Sequence, residues 1–451
     1  MENSQPHLER RLGLLNATSI NMSSMVGSGV FITLPLILGA MGGPQALLGW
    51  FLGAAIAIAD ALVWSELSVA YPGSGGSYVY LLNSFGREKW GRFLAFLFIF
   101  QIITSGPLEI STANIGIGQY VSYLWRDMTP LDVKLVAAGV GVLATMLLYR
   151  KITSIAKLMA TLWIGMLVTV VWVIVSGALH FNARLAFSFP PRAFSLSPGS
   201  LAGLGSATLF IMYCYFGYYA VCFLGDEVID PPRNLPRSMI ISVITVAVIF
   251  YTISLSIVGV VPWKEAAASQ FVASEFMQAV YGNWAGVTIT ILILWTAFAS
   301  TCGLLFAYSR VPYAAARDGN FFSIFSRLHT EKDFPHYSLL LIGGLTVVSS
   351  FFALDEVIKA LMTARILVQF VGQIVALAFL RKFRPEVPRP FKMYLYPLPA
   401  AVAFFGWGYV FLSAGTKYVA YGLLTLAFGG VAFLIMSKKR RSWPFAVASE
   451  G

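Results

Sequence analysis

The apolar run SSMVGSGVFITLP places Gly27 and Gly29 on either side of Ser28. Each glycine weakens a helix by about 1 kcal/mol relative to alanine. A helix that comes undone in hydrocarbon is tolerated only where its freed backbone is buried in protein or lines a cavity. Such a break offers chemistry without a reactive side chain. Amide N–H groups opening the next half-helix, at the positive end of its dipole, suit a carboxylate. Carbonyls closing the preceding half suit an ammonium. A free α-amino acid carries both groups a short distance apart. A weaker mark lies in YCYFGYYAVCFLG, where Gly217 sits among bulky aromatics. Taken alone, Gly217 reads as a residue for close helix packing.

Ionisable residues inside apolar runs are the second source of chemistry, because a charge at a bilayer centre costs at least about 3 kcal/mol. Glu109 and Arg365 are of opposite sign and similar depth, so they are expected to pair. Two roles stay open: a gate on the outer access path, or a static pair that fixes packing. Lys157 lies six residues past Lys151, about 9 Å inward along a helix. It either snorkels back to the interface or serves the site. Asp60 and Glu66 fall in one run: Glu66, near its inner end, reads as structural, and Asp60 has no assigned partner. No His or Cys cluster has metal spacing, and no Ser-His-Asp set is visible. GSGGS at 73–77 lacks the following lysine of a phosphate-binding loop. The sequence therefore points to no enzyme, no cofactor and no metal.

The elements that must position these residues are membrane helices. The chain is 58% hydrophobic and 11% charged, against about 45–50% and about 25% in soluble domains. Twelve spans are expected, near 12–41, 44–70, 91–125, 131–149, 152–179, 199–229, 236–262, 285–316, 338–354, 357–380, 396–416 and 418–437. With the N-terminus in the cytoplasm, inner segments hold 22 of the 31 Lys and Arg residues and outer segments 7. That bias follows the positive-inside rule and places both termini in the cytoplasm. The net charge of +11 is then loop charge that sets topology. KKRR at 438–441 reads as a membrane anchor, not a nucleic-acid patch. Cys214, Cys222 and Cys302 sit in apolar runs and read as free thiols, and Met1 to Arg11 shows no removable signal. The interruptions at Gly27–Gly29 and Gly217 fall in spans one and six, the first members of two five-span halves. Paired interruptions at matching positions point to an inverted-repeat carrier with a mid-membrane site.

The residues also carry a resemblance. VGSGVFITLP in span one, SELSVAYPGSGGSYVYL after span two, FLGDEVIDPPRNLPRSM ending span six and FRPEVPRPFKMYLYPLPA before span eleven are together similar to the amino acid–polyamine–organocation superfamily. Within it the chain looks closest to L-type amino acid transporters and their prokaryotic relatives. The resemblance implies an all-α membrane protein of twelve helices, a LeuT-like 5+5 inverted repeat with two extra C-terminal helices. Residues 1–11 would be a cytoplasmic tail, 12–395 the ten-span core, 396–437 the two added spans and 438–451 a basic cytoplasmic tail. It implies substrate binding along Met25, Val26, Gly27, Ser28 and Gly29, and at Tyr213, Phe216 and Gly217. Ser28 and Gly29 amides would hold the carboxylate; the carbonyls of Met25, Tyr213 and Phe216 would hold the ammonium. Tyr213 would be an aromatic gate, acting with Glu109 and Arg365. Lys157, beside Ser300, would stand where related transporters bind sodium. Phe216-Gly217-Tyr218 replaces the family's Gly-Gly-Trp and alters the pocket floor. Segment 126–131 lacks the cysteine that joins animal light chains to a heavy chain, so no disulfide-linked partner is expected. The function implied is sodium-independent amino acid transport or exchange (antiport) in the plasma (inner) membrane. The alternative is a proton-coupled carrier of polyamines or organic cations; a channel or membrane-embedded enzyme is the remaining rival.

Overall fold

The computed structural model describes residues 10–72, 75–149, 155–330 and 334–445, except the side chains of residues 155–164 and of Asp226. Among the described residues the chain is helical, with one isolated parallel bridge, Leu12 to Val228. Among the described residues, eight helices are long and apolar enough to cross a membrane, and a bent pair, Leu14–Met25 with Gly29–Met41, passes the same test together. Three shorter apolar helices, Gly165–Leu179, His336–Ser349 and Leu398–Ser413, fall where the sequence places spans five, nine and eleven.

The expected third span is the longest helix, Trp90–Leu124, with 35 residues. At 1.5 Å per residue it is about 52 Å long, well beyond the roughly 30 Å hydrocarbon core. It runs beside the eighth-span helix Asn283–Tyr308. Small residues bring other helices against it: a Cβ at Gly118 would lie 2.4 Å from the Val133 carbonyl, and one at Gly106 would lie 3.1 Å from the Tyr308 ring. Thr301 Oγ1 donates to Asn114 Oδ1 at 2.8 Å, joining the same two helices. The tenth span is interrupted: Leu354–Arg365 ends in a π-helical turn, Ile366–Val371, before Gly372–Phe383. Nothing in the residue pattern announces that wide turn, which opens directly after Arg365.

The N-terminal half of span one is tied to spans six and seven. Backbone N–H groups of Arg11 and Leu12 donate to the Glu227 carbonyl, and that of Ile229 to Leu12, each at 2.9 Å. Asn21 Oδ1 accepts the Val221 N–H at 2.9 Å, and Ser242 Oγ donates to the Thr18 carbonyl at 3.2 Å. Polar bonds between helices hold more firmly where no water competes for them. Near the C-terminal end of the second-span helix Gly49–Ala70, Glu66 is fully buried. Arg381 donates to it through Nε at 2.9 Å and Nη2 at 2.5 Å, and the Met393 N–H at 2.8 Å. Arg389 stands farther off, at 3.8 Å.

Removing one partner of a buried pair leaves an uncompensated charge and costs about 3–5 kcal/mol. Arg381→Gln is therefore expected to lower the thermal midpoint of the detergent-purified protein far more than Arg389→Gln. Equal midpoints for the two variants would show that Glu66 is not anchored through Arg381.

Candidate functional site

The site forms where the first span comes apart. Val26 turns extended (φ −80°, ψ 114°) after its N–H closes the inner half on the Met22 carbonyl. Ser28 starts the outer half in helical geometry, its carbonyl accepting the N–H groups of Phe31 at 3.1 Å and Ile32 at 3.2 Å. Between those bonds, and among the described residues, the N–H groups of Gly27, Ser28 and Gly29 make no backbone hydrogen bond. The carbonyls of Met25, Val26 and Gly27 likewise accept none. The two halves meet at 55°, so these donors and acceptors turn toward one space. The outer half is a 13-residue α-helix, which sets its positive end on the same spot.

The sixth span breaks one turn past Tyr213. Its α-helix, Pro198–Tyr215, ends at Phe216 (φ −56°, ψ 138°). Gly217 follows at φ +107°, in the region that favours glycine. A Cβ there would lie 2.7 Å from the Ser24 carbonyl carbon and 2.8 Å from its oxygen. Gly217 thus serves the close packing its sequence context suggests, and what it packs against is the other break. The chain then resumes as a 3-10 helix, Ala220–Glu227, whose second residue, Val221, gives its otherwise unpaired N–H to Asn21. Tyr213's carbonyl already accepts the Phe216 N–H at 3.2 Å, whereas that of Phe216 accepts no backbone donor among the described residues.

A cavity of about 400 Å³ lies between the breaks. Met25, Val26, Gly27, Ser28, Gly29, Tyr213 and Phe216 all line it, with Glu109, Ala113, Met166 and Cys214. Gly217 sits behind the wall, against Ser24. Across the cavity the eighth span contributes Ala299, Ser300, Gly303 and Ala307. These residues recur at helical spacing, the one sequence signal that could have marked this wall in advance. Ser300 is close to the first break, since a Cβ on Gly27 would lie 3.2 Å from its Oγ. Ser300 itself donates to the Thr296 carbonyl at 3.2 Å. The side chain of Lys157 lies outside the described residues.

Glu109 and Arg365 do meet, at 2.6 Å. The sequence reading missed their third member, Tyr308, whose hydroxyl donates to Glu109 Oε2 at 2.5 Å and accepts from Arg365 Nη2 at 2.8 Å. Arg365 Nε donates to Ser105 Oγ at 3.0 Å. Only Glu109 of the pair reaches the cavity. Arg365 is 1% exposed and lies behind Phe216, its guanidinium 5.3 Å from the centre of that ring. Thr112, one turn from Glu109, shares a 2.6 Å hydrogen bond with the Tyr213 hydroxyl. The ring of Tyr213 is therefore held over Gly29, where a Cβ would come within 3.6 Å of it. The pair, the aromatic ring and the broken backbone form one connected wall.

Comparison with known proteins agrees in kind. A family model described as amino acid permease matches residues 12–437. The human cystine/glutamate transporter is 28% identical over 98% of this chain and 88% of its own length. The branched-chain amino acid permease BcaP of Bacillus subtilis is 25% identical over 96% of this chain and 94% of its own. The human large neutral amino acids transporter small subunit 2 is 26% identical over 86% of this chain and 73% of its own.

A side chain at Gly217 would meet both backbone strain of about 1–3 kcal/mol and a collision with the Ser24 backbone. Gly217→Ala is expected to abolish stabilisation of the purified protein by free amino acids, read as the ligand-induced rise in melting temperature. Gly39→Ala, where nothing lies within 4 Å of the added carbon, is expected to leave that rise intact. A normal response from Gly217→Ala would detach the sixth-span turn from the site.

Proposed function

The chain belongs to the amino acid permease family, a family of membrane transporters and not enzymes, and from that premise we propose that it moves a free α-amino acid across the membrane, without sodium, by alternating access. One observation carries the reading: backbone donors and acceptors of the first span that are unpaired among the described residues face a cavity against which the sixth span is also unwound. The N–H groups of Ser28 and Gly29 take the substrate carboxylate. The carbonyls of Met25 and Phe216 take its ammonium, with the second lone pair of the Tyr213 carbonyl completing the set. Tyr213 closes the outer side, since its ring rests on the start of the outer half-helix. The cavity extends toward Ser23, Ser24, Leu304 and Ala307, at ends that the charge bias assigns to the cytoplasm, so the conformation is read as inward-facing. A volume near 400 Å³ is at the small end of ligand pockets, about 300–1,000 Å³, and suits one amino acid.

The carrier core is assigned to spans one to ten (12–395) as an inverted repeat, with two added spans (396–437). Both termini are assigned to the cytoplasmic side of the plasma (inner) membrane. Spans one and six, tied together through Asn21, Glu227 and Gly217, are the part that rocks. Lys157 is assigned the place of a bound sodium ion beside Ser300, on the resemblance and on the position of Ser300 against Gly27. No disulfide-linked partner is invoked, because segment 126–131 lacks the cysteine by which the L-type light chains it resembles join a heavy chain. A polyamine substrate is disfavoured: it has no carboxylate for the free N–H groups, and Glu109, the acid on the cavity wall, already has Arg365.

In proteoliposomes, uptake and counterflow across the twenty common amino acids are expected to run equally well with potassium or choline in place of sodium. A strict sodium requirement would remove the role given to Lys157. Glu109→Gln and Arg365→Gln are each expected to slow exchange at least about tenfold, because each strands its partner's charge, and the double change is expected to recover part of the loss. Undiminished exchange in all three variants would rule out a gate.

A further inference from the structure

Three acidic side chains are buried among the described residues: Asp60, Glu66 and Glu109. Two have arginine partners, Glu66 with Arg381 at 2.5 Å and Glu109 with Arg365 at 2.6 Å. Asp60 has no cation partner among the described residues. It is the twelfth of the 22 residues in Gly49–Ala70, halfway through the second span, and it is wholly inaccessible. Its Oδ2 accepts a hydrogen bond from the Tyr218 hydroxyl. Its Oδ1 is buried with no hydrogen-bond partner. The indole N–H groups of Trp64 and Trp407 stand beside the carboxyl but stop short of ordinary hydrogen-bond geometry, leaving both N–H groups unpaired.

The ionisable groups facing Asp60 are not cations. From the sixth span come Tyr218 and Tyr219, the latter stacked on Trp64 at 4.5 Å. Tyr215 of the same helix is committed to the Trp50 carbonyl at 3.2 Å, and the Cys222 thiol is turned to Met239. Tyr80 meets Trp64 from another side at 5.9 Å. The seventh-span helix, Pro231–Val258, keeps Arg233 and Arg237 exposed at its start, and its Tyr251 lies on Phe51. The eleventh-span helix presents Trp407, while its Tyr409 hydroxyl serves the Leu201 carbonyl. The tenth-span arginines Arg365 and Arg381 are bound to Glu109 and Glu66; Lys382 lies against Phe383.

An isolated carboxylate in such surroundings escapes its desolvation cost by taking a proton, and an ionisable group at this depth is a functional candidate by default. Here the Tyr218 hydroxyl donates to the charged form, with the two indole N–H groups near but unbonded, while the hydroxyl oxygen of Tyr218 can accept from the neutral form. Both forms therefore have a hydrogen-bonded arrangement, and they differ in which group donates. Tyr218 directly follows Gly217, so this bond holds the unwound turn of span six that packs on Ser24. We propose that Asp60 is a proton-binding site, and that its proton travels with the amino acid. The step is a simple protonation: carboxylate plus H⁺ gives carboxylic acid, the Tyr218–Asp60 hydrogen bond reverses direction, and no other bond changes. Charge at Asp60 then biases how firmly the second span grips the turn, which is how a local titration acts on a two-state element. The proposal rests on the carrier reading above.

The test uses the full chain in proteoliposomes with the membrane potential clamped and a radiolabelled mixture of the twenty common amino acids. A one-unit inward proton gradient is expected to raise wild-type steady-state accumulation toward about tenfold, the limit for one proton per substrate. Adding amino acids outside is expected to make the external medium more alkaline. In Asp60→Asn the ratio of accumulation with and without the gradient is expected to fall to about one, the limit for uncoupled movement, with no alkalinisation. Tyr218→Phe, which keeps the carboxyl and removes its partner, is expected to retain accumulation while displacing the pH midpoint of uptake from the wild-type value. Gradient-driven accumulation by Asp60→Asn equal to wild type overturns the proposal, as does an unmoved midpoint in Tyr218→Phe. Wild-type protein that exchanges amino acids but ignores the gradient removes the proton site alone. Wild-type protein that exchanges no amino acid removes the carrier reading together with the site that depends on it.

Discussion

A backbone N–H or carbonyl inside a membrane protein must find a partner, and that requirement governs the rest of this structure. Along most of the chain the helix satisfies it automatically. At Gly27–Gly29 and at Phe216–Tyr219 it does not. Around these two places the molecule concentrates its close contacts: Gly217 on the Ser24 backbone, Gly27 on Ser300, and Gly29 under the Tyr213 ring. A break in a single helix would leave polar atoms stranded in lipid. Two breaks pressed together, with an eighth-span wall of small residues opposite, enclose them in a space that a zwitterion can complete.

Buried charge follows the same accounting. Glu109 and Arg365 are each too costly alone at this depth, and their pairing is reinforced by Tyr308 and Ser105. The network places a fixed positive group behind Phe216 and a carboxylate on the cavity wall. It thereby joins the third, eighth and tenth spans to the sixth. The π turn immediately after Arg365 widens the tenth span at the point where its guanidinium must reach across. Glu66 performs a similar joining task at the inner end, between the second span and the segment that leads to the eleventh. On the proposed carrier reading the broken helices supply a ligand's contacts, and the charged pairs join the helices around them.

Several parts of this were legible in the residues. The apolar runs and the distribution of Lys and Arg mark the helical segments, and Gly27-Ser28-Gly29 marks a break because two glycines in three residues weaken a helix. Opposite charges at similar depth marked Glu109 and Arg365. Tyr308 was not legible, since a tyrosine near the end of an apolar helix looks the same whether it touches lipid or a buried carboxylate. Gly217 was ambiguous for a related reason: close packing and unwinding call for the same residue, and here it does both. The N–H left free at the start of the 3-10 turn after it, that of Val221, is met by Asn21, two hundred positions earlier in the chain.

By itself the sequence determined the membrane class, the approximate helical segments and the residues able to interrupt them. Those are properties of local composition, set by the cost of placing each side chain and each peptide group in hydrocarbon. The tertiary structure alone decided which groups face one another. It brought the first break against the sixth and the eighth, put Arg365 behind Phe216 instead of on the cavity wall, and gave Asp60 a tyrosine where Glu66 and Glu109 received arginines. Contact between distant segments depends on helix rotation and tilt, which packing among many helices fixes together and no single stretch of residues encodes.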